Sequence, residues 1–158
     1  MKAFTTVALV AALSMASLAS MAGEIRDTTI NANSARNEAT VAGSQAFQRI
    51  GVAAGANARI HDSTINAQNA RNTATGGGAV ARQDIGVATG NGHLHDVLVN
   101  AQNARNRSIG VGTTAVQEIG KASGNGVIRN VTVNAQNAAN SAVGVGARAE
   151  QRVGVASN

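Results

Sequence analysis

The feature that most constrains this chain is a tandem repeat. Residues 25–158 divide into four copies that begin at Ile25, Ile60, Leu94 and Ile128, with spacings of 35, 34 and 34 residues. Their bounds are 25–59, 60–93, 94–127 and 128–158. One motif runs Ile30-Asn31-Ala32-Asn33-Ser34-Ala35-Arg36-Asn37 in the first copy and Ile65-Asn66-Ala67-Gln68-Asn69-Ala70-Arg71-Asn72 in the second. It returns from Val99 to Asn106 and from Val133 to Asn140. A second motif follows at constant offset, as Gln48-Arg49-Ile50-Gly51, Gln83-Asp84-Ile85-Gly86, Gln117-Glu118-Ile119-Gly120 and Gln151-Arg152-Val153-Gly154. A fixed period of this length means units that bury their apolar faces only by stacking on one another.

Within a copy the alternation has period two, which places one face of a strand in a core. In the third copy Val97, Val99 and Ala101 form one such series. Ala104, Asn106 and Ser108 continue it after a one-residue phase shift at Asn103, and Ala115, Gln117 and Ile119 follow later. A phase shift of one residue is what a corner or bulge produces. Gly110-Val111-Gly112 and Gly124-Asn125-Gly126 fall between the series and supply the positive φ values that corners need. A helical repeat is disfavoured because Gly, Asn, Thr and Val crowd the positions a helix would use. The expected fold is all-β, a β-solenoid of stacked parallel coils.

Stacking places equivalent residues about 4.8 Å apart. Three lines of amides are then expected to form ladders: Asn31, Asn66, Asn100 and Asn134; Asn37, Asn72, Asn106 and Asn140; and Gln48, Gln83, Gln117 and Gln151. Each amide can donate to one neighbour and accept from the other. The Asn37 and Gln48 series are in phase with the buried alanines and point inward, whereas the Asn31 series alternates out of phase and reads as outer. Small alanines on the inner face imply a thin, dry core. After each repeated Gln the charge varies as Arg49, Asp84, Glu118, Arg152, so neighbouring coils pair opposite signs at two of the three junctions. As exposed pairs these are worth only about 0.2–1 kcal/mol and matter more for register than for stability.

The N-terminus reads as a secretory signal over residues 1–22. Lys2 is followed by an apolar or small run from Val7 to Leu18, and Ser20-Met21-Ala22 places cleavage after Ala22. That run is too short and too rich in Ala and Ser to span a membrane, and no second apolar stretch follows. The solenoid domain then occupies residues 23–158, and the protein is expected outside the cell or at its surface, reached through the periplasm. The chain has no Cys, so its stability comes from no disulfide. Net charge is +5, and loss of Lys2 leaves about +4, a modest basic balance suited to anionic surfaces.

Arg36, Arg71 and Arg105 stack with like sign and leave a basic strip. It reads first as a solvated edge and second as a contact for anionic polysaccharide, lipopolysaccharide or extracellular DNA. Stacking aromatics are absent, which sets nucleic-acid recognition aside as the main task. No capping segment is recognisable at either end of the repeats. Open ends on a regular ladder are expected to template head-to-tail addition, and contacts of that kind which do not close give filaments.

Exported tandem β-repeats rich in Asn, Gln, Gly and Ala resemble the curlin-type subunits of bacterial functional amyloids. The comparable elements are Gln68-Asn69-Ala70-Arg71-Asn72-Thr73-Ala74 and Gln83-Asp84-Ile85-Gly86-Val87-Ala88, with their copies. The repeat here is longer than in that family and the Gln-to-Asn spacing is one residue short. The longer period is similar to that of Fap-type fibre subunits, whose linkers and cysteine pair are absent. The resemblance covers residues 24–158 in style and implies self-polymerisation, a dedicated secretion channel, a nucleator subunit and a role in a biofilm matrix.

No catalytic constellation is recognisable, so the reading is a structural protein, with no cofactor and no catalytic or metal-binding residues. His61 and His95 are equivalent in the repeat, each followed by an Asp, and His93 shares a strand with His95. The equivalent positions hold Arg26 and Arg129, so the site reads as a variable surface and not as a metal centre. Gly76-Gly77-Gly78 lacks the Lys and Ser/Thr of a phosphate loop. The alternative function is a soluble secreted solenoid that binds a glycan, an anionic polymer or ice.

Overall fold

The structure, a computed structural model, describes residues 16–18 and 23–157. The signal-peptide reading and its cleavage site lie outside the described residues, apart from the short strand β1 (Ala16–Leu18). The first coil comprises β2 (Glu24–Arg26), β3 (Thr29–Asn33), β4 (Arg36–Thr40) and β5 (Gln45–Gly55). The second holds β6 (Arg59–Gln68), β7 (Arg71–Thr75) and β8 (Val80–Gly90), and the third β9 (His93–Gln102), β10 (Arg105–Ile109) and β11 (Thr114–Ala122). The fourth has β12 (Val127–Arg129), β13 (Thr132–Gln136), β14 (Ala139–Val143) and β15 (Arg148–Val153).

Equivalent strands pair in parallel and build three sheets: β1-β5-β8-β11-β15, β4-β7-β10-β14, and a third centred on β6 and β9 that takes in β2, β3, β12 and β13. Register is in phase with the repeat throughout, Asn37↔Asn72 in one sheet, Gln83↔Gln117 in another and Asn66↔Asn100 in the third. Each repeat is therefore one full coil. The protein is a β-solenoid of about four turns.

The corners explain why these residues wind this way. Ser34, Asn69, Asn103 and Asn137 all have φ between 53° and 60°, the left-handed region. Asn and Asp tolerate it because their short side chains bond locally. The phase shift at Asn103 is this corner. Asp27, Asp62, Asp96 and Asn130 form a second left-handed column, at φ 48–53°. Gly51, Gly86, Gly120 and Gly154 form a third, at φ 61–62°. A Cβ on Gly86 would stand 2.7 Å from Val99 Cγ2, so Gly86 faces inward immediately after the inward Ile85. The strand loses its alternation there and bends. Gly86→Ala meets both the strained φ and the Val99 side chain, and it should lower the unfolding free energy by about 2–3 kcal/mol in a urea titration.

Two apolar clusters fill the coil. The larger stacks Ile60, Ile65, Ile85, Leu94, Val99 and Ile119 with alanines. The smaller consists of Ala39, Ala46, Ala74, Ala79 and Ala81. At the alanine cluster the sheets approach closely enough for Asn72 Nδ2 to reach the Arg82 carbonyl of the facing sheet at 2.9 Å. The core is thus thin on one side and aliphatic on the other.

Candidate functional site

The most distinctive chemistry in this fold lies in the amide ladders and in one charged column. In the inner asparagine line, Asn37 Nδ2 donates to Asn72 Oδ1 at 3.0 Å, Asn72 to Asn106 at 2.8 Å and Asn106 to Asn140 at 2.9 Å. In the glutamine line the donors run the other way. Gln83 Nε2 donates to Gln48 Oε1, Gln117 to Gln83 at 2.6 Å and Gln151 to Gln117 at 2.7 Å. These orientations are dictated by the backbone. Asn72 Nδ2 also donates to the Ala46 and Arg82 carbonyls, and Gln117 Nε2 to the Ala104 carbonyl at 3.1 Å. Turning either amide over would set oxygen against oxygen.

The two lines thus run with opposite polarity along the stack. In the first coil Asn37 is 1% exposed, and its Oδ1 has no hydrogen-bond partner among the described residues. In the fourth coil Gln151 is exposed, and its Oε1 has no donor among the described hydrogen bonds. Asn140 there is half-buried; its Oδ1 accepts from Asn106, and its Nδ2 donates to the Ala115 and Glu150 carbonyls at 3.0 and 2.6 Å. Asn31, Asn66, Asn100 and Asn134 stand on the outer side of the wall, and they too link at 2.7–2.9 Å. A further outer line, Asn69, Asn103 and Asn137, links at 3.0 and 3.2 Å. Sequence reasoning treated Asn103 only as a corner, although its recurrence at Asn69 and Asn137 marked the ladder.

The column Arg49, Asp84, Glu118, Arg152 corrects the expectation of exposed pairs. Asp84 is 2% and Glu118 1% exposed. The bend at Gly86 turns the outer side of the strand into a concave corner, where Val52, Val87 and Lys121 are buried as well. Glu118 accepts from Lys121 Nζ at 2.6 Å, Arg82 Nη2 at 2.8 Å and Arg152 Nη1 at 2.9 Å. Arg82 also holds Asp84 at 3.0 Å, so one guanidinium separates two stacked carboxylates. Burial pushes the Asp84 carboxyl up, aided by the Glu118 charge and opposed by Arg82. Burial pushes Glu118 up too, but the bond from Lys121 and the charge of Arg82 outweigh it and hold that carboxyl below its usual range.

Arg36, Arg71 and Arg105 are exposed and in register on the outer face of β4, β7 and β10, and Arg36 is bonded to Glu38 at 2.7 Å. His61 and His95 are paired neighbours in the third sheet. His61 meets Glu24 at 2.6 Å and Asp62 at 3.0 Å, bonds that raise its pKa, with the Glu24 bond the larger cause. These histidines, with His93, Arg59 and Arg129, line a groove of about 420 Å³. Among the described residues no group of three or more His, Cys, Asp or Glu is placed to hold a metal ion, and no helix is long and apolar enough to cross a membrane.

Fold and site together define a protein of the β-solenoid class, held by inward amide ladders. Comparison with models of protein families, with curated proteins and with solved structures finds no match to this chain in any of the three.

Proposed function

We propose that this chain is an exported structural subunit that adds head to tail to copies of itself, giving an extracellular amyloid-like fibre or adhesive matrix. The observation that carries this reading is the polarity of the inner ladders. A second copy set on the first coil would bring its Asn140 amide to the unpaired Asn37 Oδ1 and its Gln151 Oε1 to the Gln48 amide. An unpaired buried polar atom costs about 1–3 kcal/mol, and this contact would remove that cost. The apolar columns also continue across such a joint, with Val153 meeting Ile50 and Val133 meeting Ile30, as the register inside the chain has it.

The resemblance to curlin-type subunits supports the same reading and adds a secretion channel, a nucleator and a biofilm role to what is proposed. The test uses the product exported by a host that carries a secretion pathway, concentrated and incubated. Thioflavin-positive filaments with a meridional reflection near 4.7–4.8 Å are expected. A product that stays monomeric at high concentration refutes the reading.

A second reading is favoured by the groove lined by Arg59, His61, His93, His95 and Arg129. Its chemistry suits an anionic polymer bound by the single chain, as does the strip of Arg36, Arg71 and Arg105. Binding of a sulfated polysaccharide by the monomer, weakened by salt, would promote it.

A further inference from the structure

We infer that copies are joined by a charged clamp, Glu150 and Arg152 of one copy closing on Arg49 of the next, which is the sign-inverted image of the clamp inside the chain. The inference rests on the head-to-tail reading and adds the residues that would set its register and direction.

Inside the chain, Arg82 of the second coil does two things. It pairs with Asp84, two residues on in the same strand, and it reaches across to Glu118 in the coil that follows. Registers place Glu150 in the column of Arg82, through Val116, and place Arg152 and Arg49 in the column of Asp84 and Glu118. The fourth coil therefore repeats the arrangement with charges exchanged, and Glu150 is already paired with Arg152. By the same geometry Glu150 reaches the equivalent position in a following coil. In a stacked copy that position is Arg49.

Arg49 carries the independent sign of an unmet partner. Its Nε is buried and lacks a hydrogen bond among the described residues, although the side chain as a whole is 42% exposed, and its one ion pair, to Asp84, is long at 3.8 Å. Without Glu150 the joint would set Arg152 against Arg49, two like charges stacked in one column. With it, one carboxylate separates two guanidiniums, as Arg82 separates two carboxylates. Val155 and Val52 would meet beside the pair, as Val52 and Val87 do within the chain. A copy added in reverse, or slipped by a residue, would leave Arg49 without Glu150, while Arg152 keeps Glu150 and Glu118 of its own chain, so the clamp disfavours wrong additions.

The experiment is seeded elongation of the exported product, its N-terminus established by sequencing because β1 lies along β5 in the full chain with Ser17 opposite Arg49. Glu150→Gln, Arg49→Gln and the double variant are compared with wild type by residual monomer at equilibrium, each first shown by circular dichroism to keep the monomer's β spectrum. Each single variant should raise the critical concentration roughly tenfold, and the double variant should be no worse than the poorer single one. Singles that match wild type, or effects that simply add, overturn the clamp while filament formation by wild type leaves the head-to-tail reading standing. Wild type that forms no filaments overturns both. A measurement that needs no variant is the salt dependence of wild-type elongation, which should slow severalfold as ionic strength rises. Indifference to salt counts against the clamp.

Discussion

Replacing Glu118 with alanine is expected to lower the unfolding free energy by about 3–5 kcal/mol, the range for breaking a buried ion pair on one side. Glu118 is 1% exposed and takes hydrogen bonds from Lys121, Arg82 and Arg152. Its loss strands the Lys121 ammonium, itself 8% exposed, in the concave corner. The neighbouring carboxylate gives the contrast. Asp84 has a raised pKa, so its ionised form is disfavoured by folding, and Asn can still accept from Arg82. Asp84→Asn should therefore cost under about 1 kcal/mol.

Acid titration separates the two carboxylates. A lowered pKa means that Glu118 contributes stability above its unfolded pKa and loses it as pH falls through the folded value. Asp84 is raised, so it protonates earlier on acidification and contributes favourably only once protonated. Wild type should then gain a little as pH falls toward the ordinary carboxylate range and lose stability progressively once pH drops below it, whereas Asp84→Asn should lack the early gain. Urea midpoints measured across that range decide the matter, and equal costs for Glu118→Ala and Asp84→Asn would contradict this account of the corner.

The coil was legible in the sequence because its signals repeat. The Asn103 phase shift coincides with a left-handed corner that recurs at Ser34, Asn69 and Asn137. The Val97-Val99-Ala101 and Ala115-Gln117-Ile119 series face inward. The concave corner was not legible, because Gln-x-Ile-Gly reads equally well as a strand that ends in a turn. Only the backbone shows that Ile85 and Gly86 both point inward and that Asp84 and Val87 are walled in on the other side. A column of charges that pairs opposite signs at two of its three junctions looks the same whether water reaches it or not. The ladder positions could be read from spacing, but their polarity could not, since it depends on which carbonyls lie beside each amide. The left-handed Asp62 and Asp96 were masked by the histidines before them, which drew attention to metal chemistry instead of to backbone conformation.

Asn72→Leu should cost about 3–4 kcal/mol, although leucine is close to asparagine in volume. Asn72 sits at 0% exposure with its amide bonded to Asn106 Oδ1 and to the Ala46 and Arg82 carbonyls, while its own oxygen accepts from Asn37. An apolar side chain leaves Asn106 and Asn37 without their ladder partners inside a dry alanine cluster. The stack is nearly one-dimensional, so the damage should also be local. The first coil should open ahead of the third, giving a broadened denaturation curve and faster amide exchange in β4 than in β10. The same change at Asn140 should cost less in the monomer than at Asn72, because that side chain is half-buried where Asn72 is fully buried. In a fibre Asn140 would lie between coils like Asn72, and its substitution should then raise the critical concentration sharply. If Asn140→Leu is silent both in monomer stability and in elongation, the fourth coil is not where copies meet.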